Sequence, residues 1–235
     1  MTIPIFKSHY SIGKSILTLS PASEKDPEEG LQDGSISVFD IAKENNLKQV
    51  VIVEDSLTGF LEADKVAREL GVQLIFGVRF DVCNDASNEE SIKESNCKHK
   101  IIIFPKNSQG CRSLNKIYTE CKTNHNNLTS FDSCVVNFKF TKPTFFMEDN
   151  GLPFDFIVKE KVIQYCDVNK FEIEDVQSIY YKNKDDFSAY LTYKLICGRN
   201  SFAGRQLSLE KPNFDHLGSD QFCWESYMEK LEQTS

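Results

Sequence analysis

None of the eight cysteines (83, 97, 111, 121, 134, 166, 197 and 223) is spaced as C-x-x-C, so the chain lacks the usual signature of a zinc knuckle or redox dithiol. No apolar run approaches the roughly 20 residues that cross a bilayer. The opening "MTIPIFKSHYS" lacks the apolar centre and cleavage site of a signal peptide. A cytoplasmic protein with no membrane association is the expectation. Basic residues are in deficit, 27 Lys and Arg against 35 Asp and Glu for a net charge of −8. That argues against direct nucleic-acid binding over a broad surface, while leaving room for a local basic pocket. Histidine is scarce: His9, His99, His125 and His216 are scattered. The segment "SIGKS" (11–15) lacks the Gly-x-x-x-x-Gly-Lys spacing of a phosphate loop. "NLTS" (127–130) is a glycosylation sequon with no meaning in a cytosolic chain.

What is present is an ordinary apolar content over 235 residues, enough to bury a substantial core. A single domain over 1–235 is expected. Two polar, acidic stretches, 20–34 and 84–98, read as exposed loops too polar to bury their backbone. The richness in Asn, Lys, Ile and Phe fits an AT-rich genome.

Between the acidic stretches the pattern is regular. Ser37 can cap a helix over 38–45, with Val38, Ile41 and Ala42 on one face. "QVVIVED" (49–55) is a β-branched run, as expected of a strand covered on both sides. Phe60, Ala63, Ala67 and Leu70 fall at helical spacing before a stop at Gly71. Strands follow at 72–82 and 100–104. A helix from Ser108 then turns Cys111, Leu114, Ile117 and Cys121 inward, the thiols acting as small apolar residues. This alternation predicts βαβ units, parallel strands, and a barrel or doubly wound sheet. The second half reads as helix-poor, with strands in "SCVVNFKF", "TFFMED", "FDFIVKEKVIQYC" and "QSIYY" before a helix over 185–198. In that helix Phe187, Leu191, Lys194 and Leu195 align, and Gly198 ends it. Trp224 in "QFCWESYMEKL" anchors the C-terminal segment, about 219–233, to the body or offers it as a docking element.

In order and spacing these segments resemble the polymerase-and-histidinol-phosphatase (PHP) domain, in particular the N-terminal module of bacterial DNA polymerase III α subunits. "FKSHYS" resembles the opening strand, with its two histidines one residue apart and a Ser-x-Tyr-Ser element. "QDGSISVFDIAKENN" is similar to the Asp-Gly turn and first helix. "VVIVEDSLTGFLEADKVARELGVQLIFGVRF" resembles the strand ending in Thr-Asp-His, the next helix, and the strand ending in Gly-x-Glu. "KIIIFPKNSQGCRSLNKIYTEC" and "SIYYKNKDDFSAYLTYKLICG" resemble later strand–helix units. The likeness runs through nearly the whole chain and is weakest between about 133 and 176. It implies a distorted, incomplete (β/α)7-type PHP barrel with an irregular, helix-poor second half.

Members of that family hold metal ions at the strand C-termini and hydrolyse phosphoesters, the metals activating a water. Residue by residue, the resemblance places the opening histidines on Ile5 and Lys7 and the Asp-His pair on Glu54 and Asp55. It places the next glutamate on Arg79, a histidine on Lys100, and the late Asp-x-His on Ser178 and Tyr180. Asp33 keeps its kind, and Cys134 stands near a mid-chain ligand. Isoleucine cannot ligate, and Lys7, Arg79 and Lys100 repel a cation. The resemblance therefore implies a degenerate metal site with no catalytic residues and no cofactor. Asp33, Glu54 and Asp55 are weak metal candidates if Mn, Zn or Fe ions are retained in a residual phosphoesterase.

Two uses of the altered pocket follow. One is an internal ion-pair network that joins the cations to Asp33, Glu54 and Asp55. The other is an anion pocket of Lys7, Arg79 and Lys100, with His9, Ser178 and Tyr180 nearby, taking a nucleotide or phosphate. A new site from His9, His99, Glu54 and Asp55 is a third arrangement. The expected role is a non-catalytic, PHP-like module, a bacteriophage product, that binds a replication-associated protein, a polymerase or exonuclease.

Overall fold

The computed structural model describes residues 2–20, 36–83, 99–124, 128–130, 134, 143–148, 155–198 and 222–234. Asp33, His125, His216, nearly all of the acidic stretch 20–34, all of 84–98, and the strand expected over 133–140 apart from Cys134 lie outside the described residues. Among the described residues seven strands and six α-helices follow in chain order. They are β1 (Ile3–Phe6), α1 (Val38–Glu44), β2 (Gln49–Glu54), α2 (Phe60–Leu70), β3 (Gln73–Cys83), β4 (His99–Ile103) and α3 (Ser108–Asn124). Then come β5 (Leu128–Ser130), β6 (Thr144–Glu148), α4 (Asp155–Asn169), β7 (Glu172–Ile179), a 3-10 turn (Lys184–Asp186), α5 (Phe187–Gly198) and α6 (Trp224–Thr234).

Local signals set the first helices. The Ser37 hydroxyl accepts from the Asp40 amide at 2.9 Å, and the Asp40 carboxylate accepts from the Ser37 amide at 3.0 Å. This reciprocal cap satisfies two amides that the first turn leaves open. Helix α2 stops at Gly71, whose φ of +66° is the left-handed conformation that glycine adopts without steric cost.

The sheet runs β4-β3-β2-β1-β7-β6, with β5 also pairing to β3. Every pairing is parallel except β3 with β4, which is antiparallel, Val78 opposite Ile103 and Asp81 opposite Lys100. That corrects the all-parallel expectation. The connection 84–98 carries no apolar periodicity for a crossover helix, and parallel neighbours need such a crossover.

A second correction concerns "FDFIVKEKVIQYC", read as a strand, which forms helix α4. The second half is therefore not helix-poor. The apolar residues of helix α4 fall on several sides of it rather than on one stripe. Cys166 is fully buried, while Phe156, Ile163, Tyr165 and Val168 stand exposed around it. Without that stripe the β-branched residues dominate a reading by pattern.

Alternation along the strands splits the apolar residues between two faces. The outer face packs Phe6, Ile52, Phe76, Val78 and Phe80 against helices α1, α2, α3 and α6. The inner face carries a smaller cluster, Ile5, Val51, Val53 and Val176, joined by Ile3, Ile75, Ile102 and Phe104. Strands β4 and β6 end the hydrogen-bonded order, yet the ring of Phe104, just past β4, lies 6.0 Å from that of Phe146 on β6. The sheet is thus curled into an open half-barrel whose two edges meet through aromatic rings. Gly77 makes room for this, since a Cβ there would sit 2.5 Å from the Phe104 ring.

Trp224 anchors α6 as expected. It is 4% exposed, stacks on Phe6 with ring centroids 5.6 Å apart, and is followed by Tyr227, whose hydroxyl donates to the Thr2 carbonyl at 2.9 Å. Buried Phe222, Trp224 and Tyr227 commit this segment to the chain's own core rather than to docking. Trp224→Ala should lower the unfolding free energy by about 3–5 kcal/mol. Gly77→Ala should cost about 1–3 kcal/mol through overpacking. Urea titration followed by circular dichroism checks both, and a wild-type midpoint in either variant would contradict the packing described.

Candidate functional site

The inner face changes character at the C-terminal ends of the parallel strands. Below lie the aliphatic residues of the inner cluster, and above them come Lys7, Asp55, Arg79, Asp81, Ser178 and Tyr180. Because β4 runs the other way, its early residue Lys100 reaches the same rim, directly opposite Asp81. In open α/β sheets this rim is where ligands bind.

Asp55 is the hinge of the arrangement. One of its oxygens, Oδ1, lies 3.0 Å from Lys7 Nζ and 2.7 Å from Arg79 Nη2. Lys7 is 4% exposed and Asp55 35%. Burial alone opposes charge on Asp55, but Lys7 and then Arg79 outweigh it and hold its carboxyl below the usual range. Burial and the neighbouring Arg79 push the Lys7 ammonium down, against the pull of Asp55. Of the expected ion-pair network, Lys7 and Arg79 meet on a single Asp55 oxygen; among the described residues Lys100 joins no ion pair, and Asp33 lies outside them.

Glu54 points the other way and is fully buried. Its Oε1 accepts from the Ser8 amide at 2.7 Å, and its Oε2 accepts from the Ser11 hydroxyl. The Ser11 oxygen also accepts from the Asp55 amide at 3.0 Å. Burial raises the Glu54 carboxyl, with Ser11 and Ser8 opposing. Glu54 thus clamps the loop after β1 onto the end of β2. Its lone pairs are engaged there rather than offered to the rim.

That clamp brings in a residue missed by sequence reading. Residues 11–14 form a turn in which the Lys14 amide donates to the Ser11 carbonyl at 2.9 Å, and Gly13 takes φ +71°. The turn seats Lys14 over the strand ends. Burial and the Arg79 charge both lower its pKa, as Lys100 does more weakly, while Asp55 and Asp81 oppose them. The signal was "SIGKS", set aside as an incomplete phosphate loop. Its glycine makes the turn, and its lysine arrives at the rim by a different route.

The other candidates are placed as follows. His9 is exposed and leans on Tyr10, ring centroids 4.3 Å apart, rather than joining the Lys7–Asp55–Arg79 group. Ser178 donates its amide to Glu148 Oε1 at 2.8 Å. Tyr180 stacks on Phe222 at 4.9 Å, and burial and Glu148 push its hydroxyl up to about 12. Neither Ser178 nor Tyr180 supplies a carboxylate or imidazole. Cys134 is buried beside Thr129, and burial pushes its thiol up, away from the thiolate that a metal needs.

These donors do not fit the metal cluster that the resemblance implies. Among the described residues no three His, Cys, Asp or Glu side chains converge in a way that could hold an ion. The central carboxylate, Asp55, is already shared by two cations. No protein-family model matches the chain, and a comparison with curated proteins finds no match.

Asp55→Asn should leave Lys7 and Arg79 facing one another without compensation. Breaking a buried pair costs roughly 3–5 kcal/mol, and solvent at the partly exposed Asp55 reduces this to about 2 kcal/mol. Since folding depresses the Asp55 pKa, its stabilisation is complete above about pH 4 and fades as pH falls through the folded value. The gap between wild type and variant should therefore be widest near pH 7 and close toward pH 2. Denaturation across that range checks it, and a gap independent of pH would contradict the ion pairs.

Proposed function

We propose that this chain is a PHP-like module that has exchanged hydrolysis for recognition and acts by binding a protein of the replication machinery. The observation carrying the non-catalytic part is the shared Asp55 oxygen: Lys7 and Arg79 hold the space in which a metal-dependent site would need ligands. A divalent ion placed beside two fixed positive charges is disfavoured at any reasonable interior dielectric. The curled α/β half-barrel, with its charged rim at the strand C-termini, supports the resemblance to the incomplete PHP barrel.

A protein partner is supported by helix α4. Phe156, 62% exposed, and Ile163, 40% exposed, lie two turns apart on one side of it. Exposed apolar side chains grouped on one element are a mark of interaction surfaces. In the family the resemblance names, the module packs against polymerase domains and can receive a proofreading exonuclease, which gives the partner class to test.

The test has two arms. Purified protein should contain no stoichiometric Mn, Zn or Fe and should not hydrolyse a generic phosphoester with added metal. Stoichiometric metal together with hydrolysis that chelators abolish would sink the non-catalytic reading. In the second arm, purified replicative polymerase α subunit and exonuclease from the same cell are titrated against the chain by calorimetry. Binding should weaken at least tenfold in Phe156→Asp/Ile163→Asp, and absence of binding to either protein would overturn the replication assignment.

A further inference from the structure

The rim holds more positive charge than its ion pairs consume. Lys7, Lys14, Arg79 and Lys100 come from four separate segments: the end of β1, the turn after it, β3, and the start of β4. Arg79 and Asp81 share one face of β3, two residues apart. Lys100 stands directly across from Asp81 on the antiparallel neighbour, where side chains are about 5 Å apart at Cβ. The carboxylates facing this group are Asp55 and Asp81, with Glu148 farther along the rim at Ser178. Glu54 is turned away into its serine clamp. Four cations therefore meet two carboxylates in a molecule whose overall charge is −8.

The geometry also leaves donors unspent. Lys7 and Arg79 converge on the same Asp55 oxygen, which accepts an N–H from Lys7 and forms an ion pair with Arg79. An ammonium has three N–H donors and a guanidinium five, so most of both heads are left without an acceptor in that contact. Asp55 fixes where the two heads point. Among the described residues no ion pair engages Lys14 or Lys100. At the Arg79 end of the rim lies a cleft of about 220 Å³ lined by Asp55, Arg79 and Asp81 and, on its far side, by Tyr118 and Lys122 of α3, while Lys7, Lys14 and Lys100 stand outside its lining. The lowered pKa of Lys14, caused first by burial and then by Arg79, agrees with a cation held near others without a full counter-charge.

We propose that the rim formed by Lys7, Lys14, Arg79 and Lys100 binds a phosphomonoester dianion, with Asp55 aiming Lys7 and Arg79 at the phosphate oxygens. A charge of two matches the excess, and three oxygens suit converging N–H donors, Arg79 being able to bind two of them at once. No bond is made or broken. This reading uses the local geometry alone and does not rest on a replication partner.

The probes are inorganic phosphate, a hexose 6-phosphate and a nucleoside 5′-monophosphate, each titrated by calorimetry and thermal shift at low ionic strength. At least one should bind with a sub-millimolar Kd and raise the melting temperature in a saturable way. Equal affinity for all three identifies the phosphate alone as the ligand, and a preference for one of the esters identifies the source of the phosphate. Lys14→Ala and Lys100→Ala, away from the buried ion pair, should fold normally and weaken binding at least tenfold each. Arg79→Lys tests the two-oxygen contact and should also weaken binding. No saturable response to any probe at 10 mM, or unchanged affinity in the Lys14→Ala/Lys100→Ala double variant, would overturn the proposal. Binding of phosphate without a replication partner would sink the functional reading above and leave this one standing, and the reverse result would do the opposite.

Discussion

Two adjacent carboxylates at the end of β2 organise the rim of this molecule. Alternation sends Glu54 to one face of the sheet and Asp55 to the other. Glu54 gathers the Ser8 amide and the Ser11 hydroxyl, and the same Ser11 oxygen receives the Asp55 amide. Asp55 then gathers Lys7 and Arg79. A buried carboxylate without such donors would cost several kcal/mol, as would a buried ammonium without its carboxylate. Each half of the pair is stable only because the loop after β1 supplies the missing partners. That loop is in turn fixed where the ligand of a binding rim would have to approach.

The charge pattern has a consistent electrostatic logic. Three residues that the resemblance sets at metal-ligand positions, Lys7, Arg79 and Lys100, carry the sign that ions would have carried. The tethered cations Lys7 and Arg79 compensate the strand-end carboxylate Asp55 without a chelating constellation. A metal cluster draws an anion and activates water, whereas lysine and arginine can only hold the anion.

Much of the first half was legible from the residues. The Ser37 cap, the Gly71 stop, the β-branched run of β2 and the inward face of α3 each rest on a local cue, and local cues survive folding. What escaped depended on partners distant in sequence. The reversal of β4 follows from a connection whose path has no periodicity to read. Helix α4 escaped because its buried side is so narrow, with Cys166 fully buried among exposed neighbours. At the site, Lys7, Asp55 and Arg79 were grouped through the resemblance, which set all three at strand ends, and neighbouring strand ends are adjacent in such a sheet. Lys14 escaped because its position depends on a serine 43 residues from the carboxylate that holds it. His9 was misjudged since the strand ends at Phe6, so alternation no longer says where its ring should face.

The meeting of Phe104 and Phe146 has a mechanical consequence. A ladder of amide hydrogen bonds fixes the spacing of two strands within a few tenths of an ångström. The seam where Phe104 meets Phe146 is an edge-on ring contact rather than such a ladder. Its spacing therefore depends on side-chain packing and not on backbone hydrogen bonding.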